Sequence, residues 1–243
     1  MESLNDKLIG RIVADNIAAA PIFERHGMDF CCHGGQTLAA ACKARGVAVA
    51  QIEAELAALD PTPASACPNV NPMAVDELAR HIVATHHNFT KKALPTLSAR
   101  LETVVCVHGG RHPELSALLA AFVPLREELE QHLAKEERVL FPYLEAMSRA
   151  RRDGAPLPQA CFAEVSQPIA ALEREHEAAG ATLDRMHDST GGFLPPEDAC
   201  NTYRLLFMEL TELEQDLHRH IALENYLLFP QAVELENTLK GGR

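Results

Sequence analysis

Four long stretches in the C-terminal two-thirds of the chain place apolar side chains at helical spacing. Leu125, Leu129 and Leu140 fall on one stripe, Ile169, Leu172 and Leu183 on a second, and Leu213, Leu217 and Leu228 on a third. Such spacing puts these side chains on one face of a helix. The pattern predicts helices over about Pro72–Val107, Pro113–Arg151, Gln167–Asp188 and Pro195–Leu239. "HGGRHP", "RRDGAPLP" and "STGG" punctuate them with Gly and Pro. Short connections make neighbouring helices antiparallel, so the expected architecture is all-α, an up-down-up-down four-helix bundle. Pro124, Pro142 and Pro230 fall inside or near the ends of these helices and predict kinks or early stops.

Ahead of the bundle, "DPTPASACPNVNP" (Asp60 to Pro72) carries four prolines and almost no large apolar side chain. It reads as a linker, 61–72, dividing a front unit of residues 1–60 from the larger unit of 73–243. The front unit, with "KLIGRIVADNIAAAPIFERHG", "TLAAACKARG" and "VAQIEAELAAL", reads as a small helical domain built around "DFCC".

Composition agrees with this picture. Of 243 residues 47% are hydrophobic, enough for a core, while aromatics are only 5% and Trp is absent. Scarce aromatic and β-branched runs favour helix over sheet. A net charge of -12 argues against nucleic acid or an anionic membrane as a partner. No signal peptide is visible in "MESLNDKLIG", and "LSALLAAFVPL" is too short to span a bilayer. Seven Cys without a C-x-x-C spacing suggest neither a disulfide framework nor a thiolate zinc site, so a reducing cytoplasm is the expected compartment.

Chemistry enters through a repeat. "HLAKEERVLFP" begins at His132 and "HIALENYLLFP" begins 88 residues later at His220. Each reads H-x-x-x-E and then F-P. The pattern is wider still: His87 precedes His132 by 45 residues, and His176 precedes His220 by 44. Each half is therefore a helix with one inward His followed by a helix with H-x-x-x-E. Residues i and i+4 share a helix face, so His132 and Glu136 point together, as do His220 and Glu224. Their apolar neighbours turn both pairs, and His176, toward the core. In the first helix His86 and His87 are hardly separable by pattern; the half-repeat spacing leans toward His87.

Buried carboxylates need a compensating positive charge. Two cations would supply it, with Glu bridging and imidazole capping. Imidazole and carboxylate without thiolate suit non-haem iron, with manganese or zinc as competitors. Glu128, one turn before His132, and Glu175, beside His176, are candidate outer partners or proton carriers. Adjacent cysteines do not easily face one metal, and a vicinal disulfide is strained. Cys31 and Cys32 in a Gly-rich turn instead suggest accessible, reactive thiols.

On "DFCCHGGQTL", "HLAKEERVLFP", "EREHEAAG" and "HIALENYLLFP" the chain resembles the ScdA-type repair-of-iron-centres proteins, a front domain followed by a hemerythrin-like bundle. The resemblance implies two non-haem iron ions per chain, oxo- and carboxylate-bridged, on His87, His132, Glu136, His176, His220 and Glu224. It implies roles for Glu128 and Glu175 as core acids and for Cys31 and Cys32 as a thiol pair. It further implies NO or O2 as small ligand, iron–sulfur proteins as clients and self-association into a homodimer. His33 stands where the resemblance leads one to expect Gly. Three functions are compatible with these features. They are repair of iron–sulfur clusters damaged by nitrosative or oxidative stress, NO or O2 binding without turnover, and NO reduction with an outside electron donor.

Overall fold

The computed structural model describes residues 3–59 and 73–241; the Pro-rich 61–72 lies outside them. Among the described residues the chain is all-α. The front segment holds α1 (Ile9–Asp15), α2 (Ala20–Arg25), α3 (Leu38–Arg45) and α4 (Val49–Ala57). After it come α5 (Val75–Ile82), α6 (Asn88–His108), α7 (Glu114–Lys135), α8 (Phe141–Asp153), α9 (Ser166–Ser189), α10 (Asn201–Leu223) and α11 (Phe229–Gly241).

The helical boundaries follow from local chemistry. Thr37 Oγ1 accepts the Ala40 N–H at 3.3 Å and opens α3. Gly46 closes it at φ 67°, a left-handed position that costs glycine nothing.

Of the kinks or early stops expected at Pro142 and Pro230, the stops do not occur. Each sits one residue past the start of a new α-segment that follows a five-residue π-turn, Glu136–Leu140 or Glu224–Leu228. At each junction the N–H of Phe141 or Phe229 reaches back five residues, to the carbonyl of Glu136 or Glu224. Proline cannot donate to the carbonyl four residues back, and its ring crowds that oxygen. Widening the preceding turn relieves both problems without ending the helix. A third π-turn, Val83–His87, joins α5 to α6. Pro124 is absorbed inside α7.

By compactness the chain divides into Met1–His81 with Tyr143–Gln167 and His218–Arg243, and Ile82–Pro142 with Pro168–Leu217. In the second unit, α6, α7, α9 and the first part of α10 surround one apolar core. It includes Leu101, Phe122, Leu183, Met186, Tyr203 and Phe207. The α6–α7 pair is antiparallel. Ser98 meets Arg126 at 2.8 Å, while the earlier Lys91 meets the later Glu137. Arg100 ties α6 to Glu209 of α10.

In the first unit α1–α4 bury Val13, Phe23, Leu38 and Ile52, and their core takes in Ile221 and Ala222 at the end of α10. The π-turn Glu224–Leu228 lies against α1: the Tyr226 ring fills the space left by Gly10, where a Cβ would sit 2.3 Å from it. Arg11 Nη1 donates to the Tyr226 carbonyl at 3.1 Å. Asp76 of α5 accepts from Arg152 of α8, and Glu236 of α11 accepts from the Tyr143 hydroxyl.

Candidate metal centre

In the bundle unit the sequence-predicted residues His87, His132, Glu136 and His176 come together, and all four are buried. Two of the three π-turns contribute, since Val83–His87 ends on His87 and Glu136–Leu140 begins on Glu136. Glu136, fully buried, holds its two oxygens against two rings. Oε2 lies 3.4 Å from His87 Nε2, and Oε1 lies 3.3 Å from His132 Nε2. His176 Nε2 stands 3.1 Å from His132 Nε2.

The outer ring nitrogens settle what the inner ones do. His87 Nδ1 is 2.7 Å from Glu137 Oε1, and His132 Nδ1 is 2.9 Å from Glu175 Oε2. Each of those carboxylates is also gripped by a lysine, Lys91 on Glu137 and Lys135 on Glu175. Burial pushes both acids up, but the lysine and histidine hydrogen bonds outweigh it and hold Glu137 and Glu175 below the usual carboxylate range. They are therefore anionic at neutral pH and accept the Nδ1 proton. With Nδ1 donating, a neutral imidazole leaves a lone pair on Nε2, assigned here from the hydrogen-bond geometry. Two such lone pairs then face the Glu136 oxygens, acceptor against acceptor. A cation between them converts that repulsion into coordination. Donor separations of 3.1–3.4 Å match the edges of a polyhedron with bonds of about 2.0–2.2 Å. The donors are nitrogen and oxygen only, as non-haem iron prefers.

In the other unit the matching pair is also in place. His220 Nε2 lies 3.0 Å from Glu224 Oε1, both buried, with Glu224 opening the third π-turn.

In the first helix the two histidines have different partners. His86 Nδ1 is engaged by Asp216 at 2.9 Å, whereas His87 faces Glu136. Glu128 corrects the sequence reading. It is exposed on α7, because Leu125 and Leu129 occupy the inward face there. Glu175 serves His132 across the bundle rather than its chain neighbour His176. Glu137 was missed. Its signal was the doubled Glu of "KEERV", with Lys91 one turn beyond His87.

Cys31 and Cys32 also depart from expectation. Cys31 is buried, not accessible, and Cys32 is half-buried. The two sulfurs approach to 3.6 Å without a disulfide between them. Its hydrogen bond to Cys32, burial and the nearby charges of Cys32 and Asp29 push the Cys31 thiol well above its ordinary value. It is not an activated thiolate.

The four helices and the imidazole–carboxylate cluster define a cation-binding bundle of the hemerythrin type. Comparison with known proteins agrees: residues 78–232 match the hemerythrin HHE cation binding domain, and residues 5–60 match ScdA_N, a domain of unknown function. An iron-sulfur cluster repair protein YtfE of Cronobacter sakazakii is 34% identical over 95% of this chain and 98% of its own. Proteins of the same name from Edwardsiella ictaluri (35%) and Escherichia coli (33%) each cover 94% of this chain and 97% of their own. The chain belongs to the family of these iron–sulfur cluster repair proteins. Among the described residues, no helix is long and apolar enough to cross a membrane.

Proposed function

We infer that this chain repairs iron–sulfur clusters damaged by nitrosative or oxidative stress, acting on iron–sulfur proteins in the cytoplasm. We propose that His87, His132, Glu136, His176, His220 and Glu224 are the residues that would hold two iron ions. When bound, the irons supply adjacent redox-active centres able to take a diatomic such as NO or O2. The residues set the conditions. Glu137 and Glu175 keep the proton on Nδ1 of His87 and His132 and so present Nε2 as a ligand. Lys91 and Lys135 balance those outer carboxylates. Burial of Glu136 and Glu224 keeps competing water away from the carboxylates. The Cys31–Cys32 pair assists by receiving iron.

The observation that carries the reading is the Nε2 lone pairs of His87 and His132 aimed at a buried Glu136. Its test is anaerobic titration of the diferrous protein with NO, following iron release and N2O, together with reactivation of a damaged [4Fe–4S] enzyme. Repair predicts reactivation that is lost in Glu136→Ala and Glu224→Ala, and impaired in the double Cys31→Ala, Cys32→Ala variant with its iron retained. Stoichiometric NO binding without reactivation points to a carrier or sensor. Catalytic N2O release without reactivation points to an NO reductase.

A further inference from the structure

A second constellation lies in the front segment. Asp29, Cys31 and Cys32 each offer a donor atom, and these atoms all lie within 4.8 Å of one another. The two sulfurs are 3.6 Å apart, and Cys31 Sγ is 3.2 Å from Asp29 Oδ1. Two thiolates bound to one tetrahedral zinc at about 2.3 Å stand about 3.8 Å apart. A disulfide needs about 2.0 Å. At 3.6 Å the two thiols are in hydrogen-bonding contact, which is also close to the spacing two sulfurs take on one cation, despite their adjacency in sequence.

The loop is held in this shape. Asp29 Oδ1 accepts the N–H groups of Cys31 (3.0 Å) and Cys32 (2.9 Å), and the Asn225 side chain donates to the Cys31 carbonyl at 3.3 Å. Gly34 lies so close to the Phe30 carbonyl and the Gly10 Cα that a Cβ there would collide with both. The Gly34 carbonyl in turn accepts the Gly10 N–H at 3.0 Å. His33, largely exposed, holds the other carboxylate oxygen of Asp29 through Nδ1. Oδ1, besides the two N–H groups, accepts the Cys31 S–H at 3.2 Å, so a cation there would take the place of that proton.

We propose that Asp29, Cys31 and Cys32 form a mononuclear site for a thiophilic divalent cation of the Fe2+ or Zn2+ class. His33 positions the carboxylate. The cation displaces two thiol protons to solvent and forms two metal–sulfur bonds and one metal–oxygen bond, with no change of oxidation state. Three protein ligands leave a fourth position for water or an incoming ligand, the pattern of an exchangeable rather than a structural site. The half-buried Cys32 and exposed His33 give the cation a way in. The proposal deepens the repair reading by naming where iron would be held near the thiols. It stands without that reading, because it concerns binding alone.

The test uses the full chain with its irons loaded, titrated anaerobically with Co2+ as a spectroscopic probe. One Co2+ per chain should bind with a thiolate-to-cobalt charge-transfer band and release of about two protons. Cys31→Ser with Cys32→Ser should abolish the band. Asp29→Asn should weaken binding about tenfold or more, and the positioning variant His33→Gly by less. Absence of the band in the wild-type chain, or its persistence in the double variant, overturns the site. If the double variant loses its helical circular dichroism, Asp29→Asn decides, and unchanged Co2+ affinity there overturns the proposal. A chain that binds Co2+ as described but fails to reactivate clusters refutes the repair reading and leaves this site standing.

Discussion

Replacing Glu137 by Gln tests whether the carboxylates behind the histidines set the strength of the metal centre. The substitution keeps the side chain's size and an oxygen acceptor for His87 Nδ1 but removes the charge that Lys91 balances. A hydrogen bond to a charged group contributes about 1.5–3 kcal/mol. Loss of such an outer partner costs about 10–100-fold in metal affinity, or about 1.4–2.7 kcal/mol. The two ranges overlap. The 2.7 Å contact to His87 and the partial burial of Glu137 place it within that range. Glu137→Gln should then lose about tenfold in iron affinity, and Glu137→Ala more, toward a hundredfold. Glu175→Gln should behave alike, since Glu175 holds His132 in the same way at 2.9 Å. Lys91→Ala should matter less, within about 1 kcal/mol, because that side chain is 46% exposed and screened by water. The assay is iron retention against a graded chelator, with circular dichroism confirming unchanged helix content. Retention in Glu137→Gln and Glu175→Gln equal to wild type would refute the reasoning. So would a Lys91→Ala loss as large as that of Glu137→Ala.

Two further expectations concern stability. Gly34→Ala drives a Cβ to 2.0 Å from the Phe30 carbonyl and should cost about 1–3 kcal/mol, whereas Gly35→Ala meets nothing within 4 Å and should stay within about 0.5 kcal/mol; equal melting temperatures for the two would contradict this. Burial raises the Asp76 carboxyl, but hydrogen bonds from Arg152 and Arg80 outweigh it and hold it below its ordinary value. Its stabilisation is thus present above the unfolded-chain value of about 3.9 and is lost as pH falls through the lowered folded value. Urea denaturation should accordingly find Asp76→Asn weaker than wild type by about 1–2 kcal/mol at pH 7, with the gap closing in acid; a constant gap would assign the effect to something other than charge.

The spacing of Leu125, Leu129, Leu213 and Leu217 determined the helices and their inward faces, because burial of apolar area acts on whichever face carries it. The same periodicity placed His132, Glu136, His176, His220 and Glu224 in the interior, since i and i+4 must share a face whatever the fold does around them. Tertiary structure decided the rest. That His87 rather than His86 turns its Nε2 toward Glu136 depended on packing against residues distant in sequence. The doubled Glu of "KEERV" did not by itself single out Glu137, because its role is set by a histidine 50 residues away. Glu128 was misread because a helix face is wide, and only packing against neighbours says where its edge falls. Pro142 and Pro230 signalled a kink or an early stop, and the backbone answers with a π-turn just ahead of each. Cys31 and Cys32 announced a thiol pair, but their separation and the burial of one depend on Gly34 meeting the Phe30 carbonyl and on Asn225 holding the Cys31 carbonyl. Periodicity is a local property that a sequence records directly; these contacts join residues far apart along the chain, and only the folded backbone brings them within reach.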